Sequence, residues 1–295
     1  MRGELQQLLE ARVKQCVSQQ RSKQDCPKID RKKASMAKRE AEIVKAKAKG
    51  LITHVNEHEG MKDVTYSVHF QYLIRQHDLL YIEEEVEMRK ATFMQNEIME
   101  EFELEPPIKA TNLDSHRVSH PNDKHVNPEY LRAYTYDRLK AVQYAERWWN
   151  SYNPAYIKIE NNDCTNFISQ CLNQGGAPMR GYPNRTRGWW IRGQNYSWSW
   201  TVAHALKLYL DSSKTGLRAK RVTSPEQLLL GDVICYDFEG DGRFNHNTIV
   251  TGKDANGMPL VNAHTYNSRQ RYWAYEDSSA YTPNIKYAFF SIVDG

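Results

Sequence analysis

At 295 residues the chain exceeds one average domain and suits two, each with a core of its own. Hydrophobic residues at 40% and charged residues at 26% exclude a disordered polyelectrolyte, and a mean hydropathy of −0.76 excludes a chain made of membrane spans. The net charge of +4 hides a dipole: residues 1–50 carry 14 Lys and Arg against 6 acids, and residues 78–105 carry ten acids against two bases.

The opening "MRGELQQLLEARVKQC" contains no apolar run of signal or membrane length, so a cytoplasmic protein without a membrane span is expected. Leu5, Leu8, Leu9, Val13, Cys16 and Val17 recur at helical spacing, which predicts a helix over residues 1–20. An Ala- and Lys-rich stretch predicts a second over 31–49. That basic stretch has no interleaved aromatics, so it reads as a solvated face and no nucleic-acid partner is expected.

From residue 62 the period becomes two: Val64, Tyr66, Val68, Phe70 and Tyr72 alternate with polar residues, the pattern of a half-buried strand. "LLYIEEEVEMRKATF" and "QNEIMEEFELE" predict two more, and their alternating glutamates predict a sheet with one solvated face. Residues 1–105 thus form an α+β unit of helices followed by a meander, in which the scattered His54, His58, His69 and His77 make no metal site. Its role and its protein partners are not legible.

Residues 106–130 are rich in Pro, Asn, Asp, Ser and His without periodicity, and mark a linker to a second domain at 131–295. All seven tryptophans lie beyond it. "YDRLKAVQYAERWWNSY" carries an apolar helical stripe, and "NNDCTNFISQCLNQGG" supplies the next helix, with Gly175 and Gly176 suited to its C-terminal cap. "GDVICYDF", "HNTIVTGKD" and "MPLVNAHTYN" then read as strands, so the second domain is a helix followed by an antiparallel sheet.

The five cysteines are odd in number and widely spaced, which argues for free thiols rather than a disulfide framework. Cys164 differs from the others because it stands at the predicted helix start, where unpaired backbone N–H groups and the macrodipole favour a thiolate. Asp163 is placed to cap that helix. Cys171 lies two turns on, in the apolar stripe, and Cys235 lies inside a strand; both read as core.

A thiolate needs a proton shuttle, and His246 stands at the head of an apolar strand, where its ring could project toward a neighbouring helix. His204, on a helix, reads as structural. The partner that orients the base is Asn262 or His264, which point to one face of a strand. Nothing resembles paired C-x2-C and H-x3-H ligands, so neither metal nor other cofactor is expected.

The ordered blocks "DCTNFISQCL", "GDVICYD", "HNTIVT" and "LVNAHT" resemble the bacterial putative amidase domain, of the papain-like superfamily that also holds the NlpC-type and CHAP cell-wall amidohydrolases. The likeness covers about residues 134–290. It implies a papain-like, NlpC-type fold with Cys164 as nucleophile, His246 as base, and His264 preferred over Asn262 as the third group. It also implies hydrolysis of an amide in a peptidoglycan-derived peptide or muropeptide through an acyl-enzyme. Asp163, Tyr156, Trp189 and Trp190 are candidates to line the substrate site, although half or more of the tryptophans in "RTRGWWIRGQNYSWSW" are expected in the core. The rival readings are a spore-associated structural or binding protein with a vestigial catalytic domain, and an acyl transferase that replaces water with an amine.

Overall fold

The computed structural model describes residues 1–18, 26–104, 133–160, 162–265 and 267–295; the expected linker at 106–130 lies outside these. The chain divides into two compact units. The first takes Met1–Pro106, Asp254–Asn256 and Tyr266–Tyr281, and the second takes Pro107–Lys253, Gly257–Thr265 and Thr282–Gly295.

In the first unit α1 (Arg2–Val17) buries Leu5, Leu9, Arg12 and Cys16, a stripe set by the 3.6-residue period. α2 (Pro27–Lys38) starts with Pro in its first turn, where no helical N–H bond is lost. Four antiparallel strands follow as a meander: β1 (Ala41–His58), β2 (Met61–Gln76), β3 (Leu79–Met94) and β4 (Glu97–Glu103). Two of the hairpins close through residue pairs with positive φ, Glu59–Gly60 and Gln95–Asn96, whose twist matches the flanking strands.

Residues 41–49 are strand, not the continuation of a helix from residue 31. Their Ala and Lys alternate, with Ala46 buried while Lys45, Lys47 and Lys49 are exposed, and that period of two outweighs the helix propensity of the residue types.

The inner face of β2 is apolar through Val64, Tyr66, Val68, Phe70, Tyr72 and Ile74. The matching face of β3 presents Glu83, Glu85 and Glu87, all buried, so the glutamates expected in solvent point inward. Leu80, Ile82 and Met88 are the exposed ones. Countercharges explain the inversion. Lys28 lies 2.6 Å from Glu87, and Lys32 lies 2.6 Å from Asp277 and 3.4 Å from Glu85. Asp277 in turn takes Arg271 at 2.8 Å. Arg271 and Asp277 come from the late segment, whose strand Ser268–Tyr272 pairs with β3 through Ser268 with Glu85 and Arg269 with Glu84.

Burial pushes the Glu85 carboxyl up, but Lys28, Lys32 and Arg271 overrule it and hold it at about 2. Glu101 is likewise raised by burial and then brought down to about 2 by Arg89 and Arg12, and Asp277 is drawn far below its usual range by Arg271 and Lys32 against burial. Burial raises Glu83 and Glu103 and offsets part of this. Depressed carboxyls stabilise the fold above the unfolded-state pKa near 4.3, and that stabilisation is lost as pH falls through the folded values. Protection factors of the β2 amides, corrected for the intrinsic exchange rate, should therefore stay high at pH 6 and fall between about pH 5 and pH 2; unchanged protection at pH 2 would sink this account of the charged inner face.

The second unit opens with α3 (Arg138–Trp148), capped by Asp137 through the Lys140 N–H at 3.0 Å. α4 (Cys164–Gln174) follows, then the hairpin β5 (Ile191–Arg192) and β6 (Asn195–Tyr196), α5 (Trp198–Thr201) and α6 (Ala203–Ser212). The strands are β7 (Arg218–Val222), β8 (Val233–Asp237), β9 (His246–Lys253), β10 (Pro259–Ala263) and, counting Ser268–Tyr272 as β11, β12 (Lys286–Val293). Within this unit they lie antiparallel in the order β10-β9-β8-β12-β7. Val233, Cys235, Ile249, Ala288 and Phe290 cover one face of the sheet and join Phe167, Ile168, Cys171 and Leu172 of α4 in the core. α4 ends as its glycines require: Gly176 takes φ +93°, and a Cβ on Gly175 would come within 2.4 Å of the Tyr136 ring. The protein is thus mixed α+β, with a helix-plus-meander unit ahead of a helix-and-antiparallel-sheet unit.

Candidate active site

α4 begins at Cys164 because the chain is anchored immediately before it. Asp163 makes no side-chain cap bond. Its Oδ1 instead accepts from the Ile159 N–H at 2.8 Å and the Asn166 amide at 2.9 Å, and its Oδ2 meets His264 Nδ1 at 2.8 Å. His264 Nε2 meets the Trp148 carbonyl oxygen at 2.8 Å, and the Phe167 ring stacks on the imidazole with centroids 3.9 Å apart. The ring is therefore held at both nitrogens and on one face. Asp163 and His264 are 3% and 2% exposed, so the pair ties α3, α4 and the end of β10 together away from water.

The Cys164 N–H donates to Thr265 Oγ1 at 3.2 Å. Its Sγ donates to Asn162 Oδ1 at 3.5 Å and lies 3.7 Å from Thr165 Oγ1, and the backbone N–H of Asn247 is also directed at the sulfur. The Asn247 amide donates to Thr165 Oγ1 at 3.0 Å. The sulfur thus sits among hydroxyl and amide groups at the head of a helix, but it is 1% exposed. Burial pushes the thiol up, and the Thr165 hydroxyl and the Asn247 N–H only partly oppose it. The expected helix-start thiolate gives way here to a buried thiol, because desolvation outweighs the helix terminus.

The sign of this shift makes a testable expectation. The unfolded chain releases the Cys164 proton near the free-thiol pKa of about 8.5, while the folded chain keeps it to higher pH. Alkylation by iodoacetamide should therefore be slow at pH 7 and rise only above about pH 8.5 in the native protein, with the fold losing stability over that same interval. Rapid native labelling at pH 6, read by mass spectrometry, would contradict the raised thiol.

His246 heads β9 directly opposite Tyr236, with ring centroids 5.6 Å apart and the Phe238 ring at 6.1 Å. Its neighbours in the alternation, Asn247 and Ile249, face α4, so the register turns the His246 ring to the other side of the sheet from Cys171 and Phe167. Asn262 and His264 share the helix-facing side: the Asn262 amide donates to Glu146 at 2.9 Å and its oxygen accepts from Thr251 at 2.8 Å. The structure gathers Cys164, Asp163 and His264 at the head of α4, with Asn262 farther along β10. Tyr156 is half-buried; its hydroxyl bonds Asn173 at 3.3 Å and its ring stacks on Trp200. Trp189 and Trp190 are buried, their indole N–H groups donating to Ser169 and to the Asn184 carbonyl, so neither offers a face to a sugar in this state. His204 Nδ1 accepts the Phe244 N–H and holds the approach to β9.

Asn162, Thr165, Asn247 and Thr265 surround the sulfur and were not legible as site residues. Thr165 and Asn247 are buried polar residues in segments that hold several others, so nothing in the sequence singled them out. Among the described residues no three His, Cys, Asp or Glu side chains gather as a metal-ligand set, and the five cysteines are free thiols.

The second unit is thus an α+β domain in which a buried helix headed by a polar-ringed cysteine packs on an antiparallel sheet. The chain belongs to the family described as "Putative amidase domain", whose model matches residues 135–290; amide hydrolysis is the reaction class that the family implies. It is 53% identical over 272 residues to "Uncharacterized protein YhbB" of Bacillus subtilis (strain 168), covering 92% of this chain and 87% of that one. It is 31% identical over 140 residues to "Uncharacterized protein YjcM" of the same organism, covering 45% of this chain and 31% of that one. No solved structure matches it. No described helix is long and apolar enough to cross a membrane.

Proposed function

We propose that the second unit is a papain-like, NlpC-type cysteine amidohydrolase that cuts an amide bond in a peptidoglycan-derived peptide or muropeptide. The observation that carries this reading is the Cys164 sulfur at the head of α4, beside the polar groups of Asn162 and Thr165, in a chain of an amidase family. In the reaction the Cys164 thiol passes its proton to His246 as the sulfur bonds the amide carbonyl carbon. The Asn247 N–H donates to the tetrahedral oxyanion, and the amine leaves with the proton returned by His246. Water, deprotonated by the same histidine, then releases the acid from the thioester. In the structure the His246 ring packs on Tyr236 and Phe238, on the side of β9 away from α4, so this reading requires the ring to turn toward the sulfur when substrate binds. The Asp163–His264 contact fixes the head of α4 during these steps.

A second reading is favoured by that 2.8 Å contact itself, which makes His264 the base and Asp163 its orienting acid. Single-turnover assays on soluble muropeptides separate the two. His246→Ala should slow acyl-enzyme formation by about 10²–10⁴-fold with the melting temperature retained, and His264→Ala should chiefly lower the melting temperature. The reverse pattern selects His264. Unchanged turnover in both variants would remove both histidines from the role of base, no turnover by the parent protein would defeat the hydrolase reading and leave the structural or binding role, and product carrying an added amine would identify a transferase.

A further inference from the structure

A cavity in the first unit lies far from Cys164 in sequence. It is a groove of about 1000 Å³ whose one wall is a single helical stripe of α1 and whose other wall is the unbroken run 46–52 of β1, with Tyr66 of β2, the pairing partner of Ile52, at one end. Consecutive residues of a strand project to opposite faces, so a cavity lined by all seven runs along the strand's edge rather than over one face. β1 pairs with β2 on one side, and no other described strand pairs with it. Its length of 18 residues leaves a long row of backbone donors and acceptors beside the groove.

From the groove's geometry we infer that it binds an extended peptide that adds to the edge of β1 and alternates apolar and acidic residues. Leu5, Leu9 and Val13 line the α1 wall, and Ala46, Ala48 and Gly50 keep the inner side of β1 small. A Cβ on Gly50 would already touch Leu9 at 3.0 Å. The inward side chains of an added strand would therefore be apolar and fill the space between strand and helix. On the outward side Lys47 and Lys49 are exposed, and Arg2 and Lys14 stand on the rim against one acid, Glu10. Alternate carboxylates of the guest, on the outward side, would meet Lys47 and Lys49. The run 46–52 spans roughly 20 Å at about 3.3 Å per residue, and α1 from Arg2 to Lys14 spans roughly 18 Å at 1.5 Å per residue, so both walls match a guest of about six or seven residues. Main-chain bonds supply affinity in this mode, and the alternation supplies specificity.

The test uses the full chain and a fluorescent peptide alternating valine and glutamate over about seven residues, with an isomer of equal composition whose valines are grouped as the control. The alternating peptide should bind, slow hydrogen exchange at residues 46–52, and weaken about tenfold or more in the Lys47→Glu/Lys49→Glu variant and with added salt. Both lysines are exposed, so the variant should melt like the parent. Equal binding of the two isomers, or binding without protection at 46–52, would overturn the proposal in favour of diffuse charge attraction. Self-association that protects 46–52 without peptide would overturn it by seating a second copy on the edge.

Discussion

Replacing Cys164 with alanine should reduce amide hydrolysis by at least about 10⁴-fold and leave the fold intact, because a nucleophile and its assisting groups act as one unit and losing it forfeits most of their joint effect. Cys171 is the internal control. It is fully buried in the same helix among Phe167, Ile168 and Leu172, and burial raises its thiol well above the usual range with no polar partner outside its own backbone. Cys171→Ala should cost about 1–2 kcal/mol of stability through the small cavity it opens, with activity per folded molecule unchanged. Equal activity losses in the two variants, each measured against its folded fraction by urea titration, would remove Cys164 from the nucleophile role.

Asp163→Ala should be the most destabilising single change near the site. The carboxylate is 3% exposed and serves three donors from three segments: the Ile159 N–H, the Asn166 amide and His264. Its removal takes the acid from a buried histidine and an acceptor from the half-buried Ile159 N–H, and breaking a buried pair of this kind costs about 3–5 kcal/mol. Asp163→Asn keeps one acceptor oxygen and should cost less, about 1–3 kcal/mol. Urea midpoints distinguish them; a loss under about 1 kcal/mol for the alanine variant would show that the network does not brace α4.

Parts of the site were legible because they depend on neighbours in sequence. The helix start at Cys164 and the glycine cap at Gly175 and Gly176 are local features, and the shared face of Asn262 and His264 follows from strand alternation alone. The raised thiol, the clasped His264 and the outward turn of the His246 ring were not, since each depends on which face of β9 meets α4. That choice rests on Asn247 and Ile249: Asn247 meets Thr165 across 82 residues of chain, and Ile249 joins the core that α4 shares.

By itself the sequence determined the helix at Cys164, the strands after residue 62, the free thiols and the family, because periodicity, capping residues and ordered motif blocks are written along the chain. Tertiary structure alone decided which charges are buried. Glu83, Glu85 and Glu87 alternate as a solvated face would, yet they turn inward because Lys28 and Lys32 from α2, with Arg271 and Asp277 from a segment nearly 200 residues later, meet them there. The same holds for the Ala- and Lys-rich run of β1, where pairing with β2 converts a sequence of helix formers into an edge strand. Propensity is worth tenths of a kcal/mol per residue, whereas ion pairing and sheet burial act over whole elements, so long-range partners override local preference.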